Sequence, residues 1–238
     1  MKRVLITGAT SGIGEQLVRD YVRTGWTVIA CGRHAGRLQA LADSLPGLQT
    51  LAFDITDLAQ TRERLNGVTA DLVILCAGTC EYLDHGVVEA EKVERVLRTN
   101  FLGPVNCLDV LLPQLSAGSR VALVGSTAGL VPLPRAEAYG ASKAALAYFT
   151  RSLAQDLQRR QIALSLILPG FVDTPLTQRN DFPMPMIITA EQASRTIMRG
   201  LDKGRAEIAF PWFFALIMRL TALLPAALQR RLTQRIAR

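Results

Sequence analysis

The sequence predicts an α/β domain built on a doubly wound parallel sheet with helices on both faces. Three observations carry that prediction. Short apolar runs alternate with helical periodicities from residue 3 to residue 210, separated by short loops. Runs such as 71–76 (DLVILC) and 162–168 (IALSLIL) are nearly continuous in apolar character, which suits strands covered on both faces. A glycine-rich turn at residues 7–14 (TGATSGIG) follows the first strand and opens the first helix.

The elements follow in order. Residues 3–7 read as a buried strand and 12–23 as a helix. Residues 27–31 give a second strand, 37–44 a short helix, 48–53 a third strand and 59–65 a helix. Residues 71–76 form a fourth strand. A helical pattern then runs over 89–115, with a bend expected near Gly103-Pro104 because proline cannot continue the backbone ladder. Residues 120–125 are a strand, 136–158 a long helix, 162–168 a strand, 190–201 a helix and 206–210 a last short strand. Neither an internal repeat nor a linker interrupts residues 1–238, so one domain is expected, with 206–238 as a C-terminal tail of different composition.

Charge separates that tail from the body. Residues 1–194 hold 18 basic and 18 acidic side chains, whereas 195–238 hold nine basic residues against Asp202 and Glu207, which accounts for the whole net charge of +7. The basic residues of the tail are mixed with an apolar run rather than with an aromatic, groove-reading surface, so a nucleic-acid partner is not expected. The four cysteines (Cys31, Cys76, Cys80, Cys107) form no CxxC pair, and only His34 and His85 could join them. No metal site is expected, and the thiols read as reduced residues of a cytoplasmic protein. The apolar start of the chain stops at Thr7-Gly8, too short for a secretory h-region.

Two motifs carry chemistry. Glycines at 8, 12 and 14 let the backbone approach a pyrophosphate at the positive end of a helix. Tyr139 and Lys143 lie at i and i+4 on one helix, thirteen residues after Ser126. An ammonium beside a phenol is expected to favour the phenolate and bring the tyrosine's pKa down from about 10 toward neutrality, giving an acid/base group.

With these residues in view, the chain resembles the short-chain dehydrogenase/reductase family in its single-domain branch, over roughly residues 3–210. The opening TGxxxGIG motif is matched by residues 7–14, the adenine-contacting acid by Asp54 followed by Ile55, the active-site asparagine by Asn100, the serine by Ser126, the Tyr-x3-Lys pair by Tyr139 and Lys143, and the late Pro-Gly…Thr by Pro169, Gly170 and Thr174. One departure stands out: where the family has Asn-Asn-Ala-Gly, this chain has Leu75-Cys76-Ala77-Gly78, which puts the rigidity of that loop in question. The resemblance implies a Rossmann-like fold and a mechanism. Tyr139 exchanges a proton with the substrate oxygen, Lys143 lowers the Tyr139 pKa and holds the nicotinamide ribose, Ser126 steadies developing charge, and Asn100 holds a water in a proton relay. Cofactor contacts are expected from Gly8, Thr10, Ser11, Gly12, Ile13, Gly14, Arg33, Asp54, Ile55, Cys76, Ala77, Gly78, Tyr139, Lys143, Pro169, Gly170, Val172 and Thr174. It also implies a homo-oligomer, a dimer or tetramer.

The second strand ends in Ala30-Cys31-Gly32-Arg33-His34, without the carboxylate that binds a free ribose 2′-hydroxyl. Arg33 suits a 2′-phosphate, which favours NADP(H) over NAD(H). The expected activity is the interconversion of a carbonyl and an alcohol on a small, apolar molecule. Segments 80–86, 130–135, 171–188 and 210–216 are expected around it, with Leu130, Val131, Leu133, Phe171, Phe182, Met184 and Met186 as apolar lining and 182–186 (FPMPM) as a lid. The tail begins at Pro211, continues through 212–224 with Arg219 as its one charge, and ends with Arg230, Arg231, Arg235 and Arg238. Thirteen helical residues reach about 20 Å, short of the ~30 Å of a bilayer core. The tail therefore reads as a cap on its own pocket, a contact with a second subunit, or a peripheral segment at a membrane surface. A nucleotide-binding, membrane-docked module with little turnover is the alternative for the whole chain; a sugar-nucleotide epimerase is disfavoured by the glycine spacing and the lack of a separate substrate domain.

Overall fold

The computed structural model describes residues 2–234; Arg235 and Arg238 of the predicted basic end lie outside the described residues. Seven strands form one sheet: β1 (Arg3–Thr7), β2 (Thr27–Gly32), β3 (Gln49–Ala52), β4 (Leu72–Leu75), β5 (Arg120–Val124), β6 (Ala163–Pro169) and β7 (Glu207–Phe210). Their order is β3-β2-β1-β4-β5-β6-β7, and every neighbouring pair is parallel. Successive residues of one strand enter opposite layers of core. Val4 and Ile6 of β1 join one layer with Leu72 and Ile74 of β4, while Leu5, Val73 and Leu75 join the other. That is why the middle of β1 and all of β4 are apolar at successive positions rather than at alternate ones.

The first layer is covered by α1 (Gly12–Arg23), α2 (Ala35–Ser44) and α7 (Ala190–Asp202), through Leu17, Val18, Leu38 and Ile197. The second is covered by α3 (Leu58–Leu65), α5 (Gly103–Leu111) and α6 (Glu137–Gln158), through Leu65, Leu108, Leu111 and Leu146. Asp57 caps α3 by accepting from the Gln60 amide, and Thr189 and Gln192 form a capping box on α7.

The bend expected near Gly103 is a change of helix type. α4 (Ala90–Leu97) runs into a π-helical turn at Arg98–Leu102 before α5 begins. The Gly103 amide reaches back five residues to the Arg98 carbonyl, and Pro104 has no N–H to give to the carbonyl of Asn100, four residues earlier. Gly103 has to be small here, because a Cβ would fall 2.5 Å from Ile55 Cδ1. The tail folds as α8 (Trp212–Ala222) and α9 (Ala226–Thr233). Arg219 of α8 and Arg151 of α6 both pair with Glu207, which fastens the tail to the end of the sheet. Among the described residues, no helix is long and apolar enough to cross a membrane.

Candidate active site

β1 and β4 are neighbours, yet the chain leaves them toward opposite ends of the sheet. Their carboxyl ends therefore open a crevice, the place where ligands bind in open α/β sheets. Its floor is set by backbone against backbone. Gly8 has φ 69°, and a Cβ there would lie 2.8 Å from the backbone of Ala77. A Cβ on Gly14 would collide with the Gly8 carbonyl, so the first helix can start this close only because residue 14 is glycine. Ser11 precedes α1 in extended conformation and makes no side-chain capping bond. Glu15, the acid of the first turn, is held by Arg19 at 2.7 Å. The first-turn amides thus face the crevice with no side chain of their own in place, a cradle that fits a phosphate.

The opposite wall is the loop after β4, where Cys76 replaces the resembled family's asparagine. Its rigidity comes from elsewhere. Thr7 Oγ1 accepts from the amides of Cys76 (3.0 Å) and Ala77 (3.2 Å). Fully buried Asn100, on the π turn, accepts from the Thr79 amide at 2.8 Å and donates to the Thr79 carbonyl at 2.9 Å. Its Nδ2 also donates to Ser142 Oγ at 3.0 Å, and Ser142 donates to the Tyr139 carbonyl at 2.7 Å. One asparagine therefore ties the loop to the helix that carries the tyrosine. With its amide engaged in this way, the side chain of Asn100 acts as a clamp. Thr7 opens the motif read at residues 7–14, but its bonds to the loop after β4 were not legible, and Thr79 and Ser142 were not singled out. A serine inside a helix carries no distinctive spacing.

Ser126 lies two residues past β5 and accepts from the Ala128 amide at 3.1 Å, which opens a short turn at Thr127–Gly129. α6 packs so closely on that turn that a Cβ on Gly129 would lie 2.8 Å from the Lys143 carbonyl carbon and the Ala144 amide nitrogen. This contact sets Tyr139 beside Ser126. The expected drop in the Tyr139 pKa is not found. Burial pushes the phenol up to about 12, against a smaller downward pull from its hydrogen bond with Ser126. Lys143 Nζ lies 5.8 Å from the Tyr139 ring centre and donates to the Val124 carbonyl at 2.8 Å. Burial brings this lysine down to about 8. The ammonium is thus engaged by the sheet, and desolvation sets the phenol. Burial also raises the Cys76 thiol to about 11, so it is neutral.

The crevice collects Gly8, Ser11, Gly12, Ile13 and Gly14 on one side and Cys76, Ala77 and Gly78 on the other. Ser126, Tyr139 and Lys143 stand at its inner end, and Pro169, Gly170, Val172 and Thr174 close it below. Gly12 (φ 54°) packs on Thr174, whose methyl would lie 2.9 Å from a Cβ there. Five expected residues stand outside this lining. Asn100 lies behind it, Thr10 packs on Gly32, and Ile55 is buried beneath Gly103. Arg33 is exposed at the end of β2, 3.8 Å from Asp54, whose carboxylate accepts from the amide and hydroxyl of Thr56 at 2.9 Å.

A second cavity of about 330 Å³ adjoins the first, and Ser126 and Tyr139 line both. Val131, Leu133, Phe171, Phe182 and Met186 border it as expected; Leu130 and Met184 do not. Phe214, in the expected segment 210–216, borders it too, and Ile217, Met218 and Thr221 of α8 with Leu232 and Thr233 of α9 continue the wall beyond that segment. A cap on its own pocket was one of three readings of the tail, and the apolar pattern did not single out these five further residues.

The model of the short chain dehydrogenase family matches residues 2–183. An uncharacterized oxidoreductase of Myxococcus xanthus is 35% identical over 235 residues, covering 94% of this chain and 93% of that one. A serine 3-dehydrogenase of Rhizobium radiobacter is 34% identical over 186 residues, 73% of each chain. A solved short-chain dehydrogenase from Sphingobium yanoikuyae in complex with NADPH shares the fold, with TM-score 0.82 at 24% identity, covering 95% of this chain and 98% of that one. The chain belongs to the short-chain dehydrogenase family. It is an oxidoreductase of that family, built on its nicotinamide-binding fold.

Proposed function

We propose that this chain is an NADP(H)-dependent oxidoreductase that interconverts a carbonyl and an alcohol on a small apolar substrate, with residues 1–238 acting as one domain. The observation that carries the reading is the position of Ser126 and Tyr139, whose side chains stand where the glycine-lined crevice meets the apolar cavity. The crevice fits the cofactor. The open amides at the start of α1 would hold the pyrophosphate and Asp54 the adenine. Arg33, with no carboxylate beside it in Gly32-Arg33-His34, would take the 2′-phosphate. Lys143 would hold the nicotinamide ribose hydroxyls. The bound cofactor supplies or accepts the hydride.

The chain's own residues do the rest. At neutral pH Tyr139 carries its proton, held there by burial, and is ready to pass it to a carbonyl oxygen. Ser126 donates a hydrogen bond to the same oxygen and stabilises the charge that grows on it. Lys143, protonated at neutral pH, offers a positive charge one helical turn away. Asn100 and Ser142 fix the separation of loop and helix on which this geometry depends.

The test is consumption of NADPH with a panel of aldehydes and ketones, wild type beside Tyr139→Phe. The expected result is turnover that falls by about 10²–10⁴-fold in the variant while NADPH binding is kept. Equal turnover in both proteins would remove Tyr139 from the proton transfer.

A further inference from the structure

The apolar cavity has a feature that a generic hydrophobic pocket lacks. Four aromatic rings run along it in unbroken contact from the loop after β4 to the tail. Tyr82 meets Phe182 edge-on with centroids 5.7 Å apart, Phe182 meets Phe171 at 6.2 Å, and Phe171 meets Phe214 at 5.6 Å. All four rings line the cavity. Phe214 can come this close because residue 170 is glycine; a Cβ there would lie 2.8 Å from its ring. Ile217 and Met218 follow one turn later on α8 and continue the lining.

The one charged side chain among the described lining residues is Arg135, and it is already engaged. It donates to Asp84 at 2.7 Å and to Asp181 at 2.7 Å, and it lies over the Tyr82 ring at 5.3 Å. A carboxylate entering the cavity would meet a guanidinium already neutralised by two aspartates. An anion or a zwitterion finds no unneutralised cation among the described lining residues, and burying a charge without one is costly. The Tyr82 hydroxyl is likewise spent on Asn180, at 2.7 Å.

We infer that the substrate is a neutral, extended, apolar ketone or secondary alcohol whose body lies along this aromatic wall, and that Phe214 and Ile217 of the tail set the length accepted. The inference rests on the oxidoreductase reading of Ser126 and Tyr139 for its reactive end, and on the cavity alone for its body. It parts this chain from its serine 3-dehydrogenase relative, whose named substrate is a zwitterion.

The experiment measures calorimetric binding and kcat/KM for the 2-ketones from butanone to decanone, beside levulinate and L-serine, on the full chain. In wild type both should rise about four-fold for each added methylene until the wall is reached and then fall, with levulinate and serine far below the neutral ketone of similar size. Phe214→Ala should move the optimum to longer ketones, and Ile217→Trp to shorter ones. The opposite directions separate a length-setting wall from general damage to the fold. A flat length profile, preference for levulinate or serine, or an optimum unmoved in both variants would overturn the inference. Length-dependent binding with no turnover of any ketone would leave the ligand class standing and sink the oxidoreductase reading of the site.

Discussion

The crevice between β1 and β4 and the cavity beneath the tail are made in different ways. The crevice is shaped by main chain: glycines at 8, 12 and 14 pressed against other backbone or a threonine methyl, and amides held by Thr7 and Asn100. The cavity is shaped by side chains that arrive from the loop after β4, the turn after β5, the segment 171–186 and the tail. Backbone geometry tolerates few residue types, so it leaves a motif. A wall of rings tolerates many apolar residues of similar volume, so it leaves only composition. Changes in the first region should damage the machine as a whole, whereas changes in the second should redirect it.

Asn100→Ala is the hardest test of that contrast. It removes the acceptor of the half-buried Thr79 amide and the amide that donates to the Ser142 hydroxyl, which keeps its own bond to the Tyr139 carbonyl, and Asn100 itself lies behind the crevice lining. A loss of about 2–4 kcal/mol in urea unfolding is expected, together with lost turnover. Unchanged stability would show that the clamp is not what holds the loop.

Lys143 gives the next largest effect. Its ordinary value of 10.5 falls to about 8 in the folded protein. Below pH 8 both states hold the proton, and the folded state bears the cost of a buried charge. From pH 8 toward 10.5 the unfolded state binds more protons, so stability rises with pH across that window. Cys76 and Tyr139, raised to about 11 and 12, act in the opposite sense at higher pH. The wild type minus Lys143→Met difference isolates the lysine and should climb by on the order of 3 kcal/mol between pH 8 and 10.5. A flat difference would mean that the ammonium is not desolvated.

Arg33→Glu should leave folding alone, because Arg33 is exposed and only loosely paired with Asp54. It should lower the preference for NADPH over NADH, read as the ratio of kcat/KM values, by about 10–100-fold. An unchanged ratio would assign the 2′-phosphate to another residue. The smallest expected effect lies on the outer side of α8, where Trp212, Leu220 and Leu223 are exposed above the pocket-facing residues. If that side rests on a membrane, Trp212→Ser with Phe213→Ser abolishes co-sedimentation with anionic liposomes and spares NADPH binding. Equal co-sedimentation of variant and wild type would remove the membrane reading.

Much of the crevice was legible. Gly8, Gly12 and Gly14 announce themselves by spacing, and Ser126, Tyr139 and Lys143 by their order along the chain. The bond network beneath them was not. Asn100 could be matched by motif, but its two bonds to Thr79 and its bond to Ser142 link residues 21 and 42 positions apart. The phenol's raised pKa was also out of reach. An i, i+4 spacing places the lysine near the tyrosine, but it does not show that Val124 takes the ammonium or that burial outweighs charge.

What the sequence determined by itself is the parallel sheet, the glycine-lined turn and the placing of Lys143 beside Tyr139, because each follows from local pattern: strands with near-continuous apolar runs, glycines at fixed intervals, two side chains one helical turn apart. What only the tertiary structure decided is the shape of the substrate side. Whether α8 faced its own cavity, a second copy or a lipid surface could not be read from an apolar helix, since burial is non-directional and favours any apolar surface equally. Gly170, the Glu207 ion pairs and the ring of Phe171 bring Phe214 to the cavity while Trp212, Leu220 and Leu223 stay exposed, and those contacts exist only once strands distant in sequence have paired.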